Sequence, residues 1–263
     1  MIRYDDTFPP ARHTVLSLAV LVAALALLAA ASSAAAQAYT SADELIAAVE
    51  SRAEPVTLQA TMEMTLTDAA GRTLTREMHT WARGDSKRIM KFTAPADIAG
   101  SGFLMIDDGT VDETLVYLPA LDRVRRIAGG QRGESFFGSD FAYEDVEGID
   151  VDDYHHELLE IRDGPVYVVA ATPKADAGSI YDRLVLEVPE ATLIPERVTY
   201  YLGDDPVKEL TVGDLQWVGD YLIAMERRME TLVSGTFTVI RQRDLTLDED
   251  LPAEVFSERF LRR

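Results

Sequence analysis

Outside the first 38 residues the chain has three histidines, His79, His155 and His156, the natural starting point for catalysis or metal binding. Adjacent residues on a strand point to opposite faces, so His155 and His156 do not grip one metal together. No His-Glu-x-x-His is present. The nearest approach to a nucleophile elbow, Gly133-Glu134-Ser135-Phe136-Phe137-Gly138, is one residue too long for Gly-x-Ser-x-Gly. Gly100-Ser101-Gly102 lacks the third glycine of a dinucleotide loop and no helical pattern follows it. The acidic pairs Asp107-Asp108, Asp152-Asp153 and Asp204-Asp205, with Asp248-Glu249-Asp250, have the chemistry for glycoside hydrolysis or calcium binding. The first precedes a glycine and the third a proline, which is turn chemistry, and none has EF-hand spacing. The chain therefore reads as a non-enzyme without cofactor or metal. A secreted hydrolase using Asp152 or Asp153 is the catalytic alternative.

Charge and cysteine content narrow the field further. The 263 residues carry 25 Lys+Arg against 45 Asp+Glu, a formal charge of −20, which argues against a nucleic-acid partner. With no cysteine, disulfides, thiolate metal sites and lipidation at Cys are excluded. The charge is unevenly spread. Arg83, Lys87, Arg88 and Lys91 cluster between Trp81 and Phe92, and Arg123, Arg125, Arg126 and Arg132 form a second basic stretch. Asp140 to Asp163 then holds ten acids and one arginine. Two readings stand: internal pairing of these segments, or a basic rim at Arg123, Arg125 and Arg126 that meets lipid headgroups or an acidic partner.

Arg3 and Arg12 precede an apolar stretch from Val15 to Ala31, followed by Ser32-Ser33 and Ala34-Ala35-Ala36-Gln37-Ala38. This is the pattern of a secretory signal peptide over residues 1–38, cleaved after Ala36 or Ala38. An uncleaved anchor is the rival, because 17 residues lie near the lower limit for a spanning helix. Export points to a bacterial periplasm or envelope.

Residues 39–263 must supply the elements that position any site. Ser41-Ala42-Asp43-Glu44 has capping-box spacing, and Ala42, Leu45, Ile46, Val49 and Ala53 predict a helix over 42–53, ended by Pro55. Period two then takes over. Val56, Leu58, Ala60, Met62, Met64 and Leu66 alternate with polar residues, and strand-like runs continue to Thr246, most separated by Gly- or Asp-rich turns. Short connections mean antiparallel neighbours, so the chain reads as one mainly β domain, a meander of about ten strands. Its apolar face needs a second sheet, barrel closure, or a helix or ligand in a hollow.

Methionines recur in the strand-like runs, and flexible thioethers suit a cavity for variable acyl chains as well as an ordinary core. The connection Ser135-Phe136-Phe137-Gly138-Ser139-Asp140-Phe141-Ala142-Tyr143-Glu144-Asp145 is aromatic without clear periodicity. Exposed, it would form a sticky patch, so it should cover something.

This segment, with Tyr117-Leu118-Pro119-Ala120-Leu121-Asp122-Arg123-Val124-Arg125-Arg126-Ile127 before it, resembles the signature of the outer-membrane lipoprotein-sorting protein family, related to the periplasmic lipoprotein carrier LolA. Phe92 to Leu104 and the ending Leu251-Pro252-Ala253-Glu254-Val255-Phe256-Ser257 fit the same resemblance. It implies a single-domain unclosed antiparallel half-barrel with helices over its concave face. The implied activity is binding of acyl chains of lipoproteins or other lipids, sorted toward the outer membrane. Association with an RND-type inner-membrane exporter and an outer-membrane acceptor is also implied. The alternative is a periplasmic accessory or sensor module docked on such an exporter, without cargo. On the carrier reading Leu58, Met62 and Met64 face the cavity, Phe136, Phe137, Phe141 and Tyr143 belong to a lid, and the basic rim flanks the mouth.

Overall fold

The computed structural model describes residues 38–263. The signal-peptide reading falls almost wholly outside them. Helix α1 (Ala42–Glu50) starts where the capping pattern puts it: the Ser41 hydroxyl accepts the Glu44 amide, and the Glu44 carboxylate accepts the Thr40 amide and hydroxyl at 2.8 Å each. It stops at Glu50 rather than Ala53. Arg52 leaves the helical path, its guanidinium pairing with Glu54 and donating to the Leu222 carbonyl.

Thirteen strands follow, more than the ten or so expected, and all join one antiparallel sheet that does not close. They are β1 (Thr57–Thr67), β2 (Thr73–Arg83), β3 (Lys87–Ala94), β4 (Gly102–Asp107), β5 (Asp112–Leu118), β6 (Arg123–Ile127), β7 (Tyr154–Arg162), β8 (Val166–Pro173), β9 (Arg183–Pro189), β10 (Arg197–Leu202), β11 (Asp205–Val218), β12 (Tyr221–Thr231) and β13 (Thr236–Leu247). The turns carry the expected chemistry. At the β1–β2 hairpin one Asp68 oxygen accepts the amides of Ala70 and Arg72 at 2.9 Å, and Gly71 takes φ +78°.

The spatial order is β6-β5-β4-β3-β2-β1-β13-β12-β11-β10-β9-β8-β7. Two meanders are therefore joined through β1 and β13, in a register that sets Met64 opposite Ile240. The order puts β6 and β7, consecutive in sequence, at opposite edges of the sheet. The chain between them, residues 128–153, must travel from one edge to the other. It contains three short 3-10 turns and helix α2 (Tyr143–Glu147).

The two faces are covered by different chain. On the concave face Met64, Met78, Met90, Phe92 and Phe103 pack with Leu45 of α1 and with Phe136, Phe141, Tyr143 and Val146 of the crossing segment. On the opposite face Ile89, Leu104, Leu115 and Tyr117 meet Leu251, Val255, Phe256 and Leu261, the last in helix α3 (Glu258–Leu261). Burial of each such large side chain stabilises the fold by about 1.5–3 kcal/mol. Leu261 of α3 packs directly over Gly102: a Cβ there would lie 2.6 Å from Leu261 Cδ1 and 3.1 Å from the Met90 carbonyl.

Candidate functional site: a cavity under the crossing segment

Between the concave face and the crossing segment lies a cavity of about 410 Å³, within the usual size range for small-molecule sites. Alternation on the strands decides what faces it. Leu58 and Met62 of β1 line it, and Ala82, Met90, Leu184, Leu210 and Ile240 extend the apolar wall. Phe136, Phe141 and Val146 close it from the crossing segment. Met64, expected beside Leu58 and Met62, is fully buried within the packed core and is not among the lining residues. The exposed lining residues Ala53, Glu54, Gly84, Asp85, Gly148 and Ile149 mark the end at which the cavity opens.

The crossing segment is held by specific polar contacts. Asp140 accepts the hydroxyls of Thr231 and Thr238 at 2.7 Å each, and also that of Thr236. Arg76 of β2 donates to the Phe137 carbonyl, and Arg88 of β3 donates to the Val146 carbonyl at 2.7 Å. Phe137 has φ +49°, which directs the chain back so that Phe136 and Phe137 both reach Phe92, with ring centroids 6.2 and 4.7 Å away. Tyr143 stacks on Phe103 and lies under the Arg125 guanidinium.

Two polar groups interrupt the apolar wall. At one end Glu144 accepts the Ser179 hydroxyl and the Ile180 amide at 2.5 and 2.9 Å. The Ile180 amide thus bonds to Glu144, and β9 begins only at Arg183, although its strand-like pattern starts at Ile180. Asp145, whose side chain is 1% exposed, accepts the Tyr181 hydroxyl at 2.8 Å and pairs with Lys208 at 3.1 Å. Burial first, and then Asp145, push the Tyr181 hydroxyl well above its ordinary pKa. Burial likewise raises Tyr200, which is also part of the wall. The second group is basic: Arg52, Arg88 and Arg227 all line the cavity.

The expected basic rim lies elsewhere. Arg123, Arg125 and Arg126 sit on edge strand β6 and none lines the cavity. Arg125 pairs with Glu134 at 2.7 Å and Arg126 donates to the Asp112 carbonyl. Part of both basic stretches is engaged inside the fold, since Lys87 pairs with Asp108 and Arg132 with Glu147 at 2.8 Å each. Arg52 and Arg227 belong to neither basic stretch, and only their place on the fold brings them to the cavity. His155 is exposed and His156 half-buried, on opposite faces of β7. Asp152 and Asp153 are exposed in the turn before β7. Among the described residues no group of three or more His, Cys, Asp or Glu could hold a metal ion, and no helix is long and apolar enough to cross a membrane.

A family model with the description "-like: Uncharacterized protein" matches residues 84–263, more than half of the chain. No match is found among curated proteins. Among solved structures, the chain is similar to a domain from Vibrio parahaemolyticus described as an outer membrane lipoprotein-sorting protein. Identity is 28% and the TM-score 0.78, over 84% of this chain and 97% of that one. A DUF1329 family protein from Desulfovibrio piger matches with 29% identity and TM-score 0.77, over 83% of this chain and 96% of that one. The LolA superfamily protein NE2245 from Nitrosomonas europaea, 20% identical, shares the fold at TM-score 0.69, over 84% of this chain and all of that one.

Proposed function

From the premise that the chain belongs to this DUF1329-type family of LolA-like, outer-membrane lipoprotein-sorting proteins, we propose that it is a periplasmic carrier which shelters acyl chains of a lipoprotein or other lipid. The observation that carries this reading is the 410 Å³ cavity, walled by Leu58, Met62, Leu210 and Ile240 and roofed by Phe136 and Phe141. An acyl chain in water gains about 0.8 kcal/mol for each CH₂ that is buried, so a dry and deformable hollow suffices to take it up. Methionine and leucine walls adapt to chains of different length.

Release is the harder requirement, because a carrier must give its cargo up. The roof, like the segment Arg52 to Pro55 at the mouth, lies outside the sheet. It is held by side-chain contacts, those of Asp140, Arg76, Arg88, Glu144 and Asp145 among them, and loosening them would open the cavity without disturbing strand pairing. On this reading the protein performs no bond chemistry, and its partners are a donor in the inner membrane, such as an RND-type exporter, and an acceptor at the outer membrane.

The test is native mass spectrometry with lipid extraction on protein isolated from its own cell envelope, followed by uptake of a fluorescent acyl probe. The carrier reading expects a lipid adduct, probe binding by the wild type, and its loss in Met62→Arg, which puts a charge into the wall while the melting transition stays cooperative. Absence of both adduct and probe binding overturns it, and a stable membrane-protein complex without lipid would then favour the docking module.

A further inference from the structure

The three cavity arginines differ in how their charge is met. Arg52 is paired with Glu54 and donates to the Leu222 carbonyl. Arg88 spends one nitrogen on the Val146 carbonyl and has no ion pair in contact. Arg227 has neither a hydrogen bond nor an ion pair among the described residues. It sits on the concave face of β12, directly opposite Ile240 of β13, and its side chain is accessible to the hollow.

The neighbouring acids do not supply the missing partner. Glu54 is engaged by Arg52, Asp145 by Lys208 and Tyr181, and Glu144 by Ser179 and Ile180. Asp85 is exposed at the opening. Arg227 feels the like charges of Arg88 and Arg52 and the opposite charge of Glu54 without contacting any of them, and the surrounding protein first, then Arg88, lower its pKa to about 10. Enclosure also lowers Arg88. A protein of charge −20 thus holds a solvent-accessible guanidinium, with no hydrogen-bonding or ion-pairing partner in contact, on the wall of an apolar hollow. A lipid entering the hollow would displace water from that guanidinium, and an anionic head would replace the water with a charge-assisted hydrogen bond.

We infer that Arg227, with Arg88 beside it, is the head-group site of this cavity, and that the cargo is an amphiphile with an anionic head, a carboxylate or a phosphate, whose chain lies along Ile240, Leu222 and Leu58. The inference rests on the carrier reading and narrows it. A guanidinium fork matches both head groups and makes charge-assisted hydrogen bonds to either. An acyl chain carried by ester or amide linkage on a protein terminus presents no such charge at its head, so the site favours a free anionic lipid.

The test compares three probes on delipidated full-length mature protein by titration calorimetry: dodecanoate, dodecyl phosphate and uncharged dodecanol. The expected result is that wild type binds one or both anions about tenfold or more tightly than dodecanol. Whichever anion binds tighter identifies a fatty-acid or a phospholipid head. Arg227→Gln is expected to bring anion affinity down to that for dodecanol, and Arg227→Lys to retain part of the preference. Arg227→Gln breaks no hydrogen bond or ion pair, so it is expected to melt close to wild type, and a folding defect does not obscure the result. Equal affinity of wild type for all three probes, or an undiminished anion preference in Arg227→Gln, overturns the head-group assignment and leaves the carrier standing. Failure of wild type to bind any of the three overturns both.

Discussion

Asp140 and Thr238 are bonded to each other in both directions. The Asp140 amide donates to the Thr238 hydroxyl at 3.0 Å, and that hydroxyl donates to the Asp140 carboxylate at 2.7 Å. Thr238 is fully buried on β13, so the pair ties the crossing segment to the middle of the sheet. Asp140→Ala would leave a buried hydroxyl unsatisfied and remove charge-assisted bonds, an expected loss of about 2–4 kcal/mol. Chemical denaturation measures it, and limited proteolysis of the folded variant should cut first within residues 128–153.

Phe136 and Phe137 are neighbours with different tasks. Phe136 is fully buried, with Phe103, Phe137 and Tyr143 rings 5.0–5.8 Å away, and Phe136→Ala should cost about 3–5 kcal/mol. Phe137 is half-buried and strained at φ +49°, so Phe137→Gly should cost less, because relief of backbone strain worth about 1–2 kcal/mol offsets the lost ring contact. Denaturant midpoints of the two variants decide the order.

Met62 and Met64 point the same way from β1 but meet different surroundings. Met64→Ala opens a void in packed core and should cost about 2–5 kcal/mol. Met62→Ala enlarges a space that already exists, so its stability cost should be smaller and its main effect a changed preference for acyl-chain length in probe binding.

Gly102 makes room for Leu261. Gly102→Ala is expected to destabilise by about 1–3 kcal/mol, and the penalty should shrink when Leu261 is also Ala. A double-mutant cycle with no coupling between the two positions would contradict the packing described.

Asp108 carries a pH signature. The Lys87 ammonium, with the amides of Val111 and Thr110, holds its carboxyl at about 2 in the folded chain, against an ordinary value of 3.8. The unfolded state then binds the proton more readily, so this contribution to stability is complete above about pH 3.8 and lost as pH falls toward 2. Asp108→Asn should melt lower than wild type at pH 6, with the difference closing by pH 2, as followed by circular dichroism.

Much of the fold was legible in local pattern. Strand alternation, the Asp68 turn and the cap on α1 are properties of adjacent residues, and each appears where the spacing puts it. The aromatic composition of 135–145 signalled a covering role by itself, because no exposed loop needs Phe136, Phe137 and Phe141. Two things were beyond reach. Pairing of β1 with β13 is a contact between the two ends of the domain, and only that pairing sends β6 and β7 to opposite edges. The cavity arginines come from the end of α1, from β3 and from β12, so no spacing rule unites them. Arg227 lies in the sequence Glu226-Arg227-Arg228-Met229-Glu230, where acids on both sides suggest ordinary surface pairing. Strand alternation turns Arg227 inward, while Arg228 pairs with Glu230 at 2.5 Å.

A sheet that never closes leaves two raw borders, each a row of backbone donors and acceptors able to take on a foreign strand. On β6 that border is five residues long and carries Arg123, Arg125 and Arg126; on β7 it carries His155, Glu157, Glu160 and Arg162. Short length and dense charge are what discourage edge-to-edge stacking. On β6 the three arginines set like charge along that border, so the same edge of a second copy would meet repulsion before it met free backbone groups.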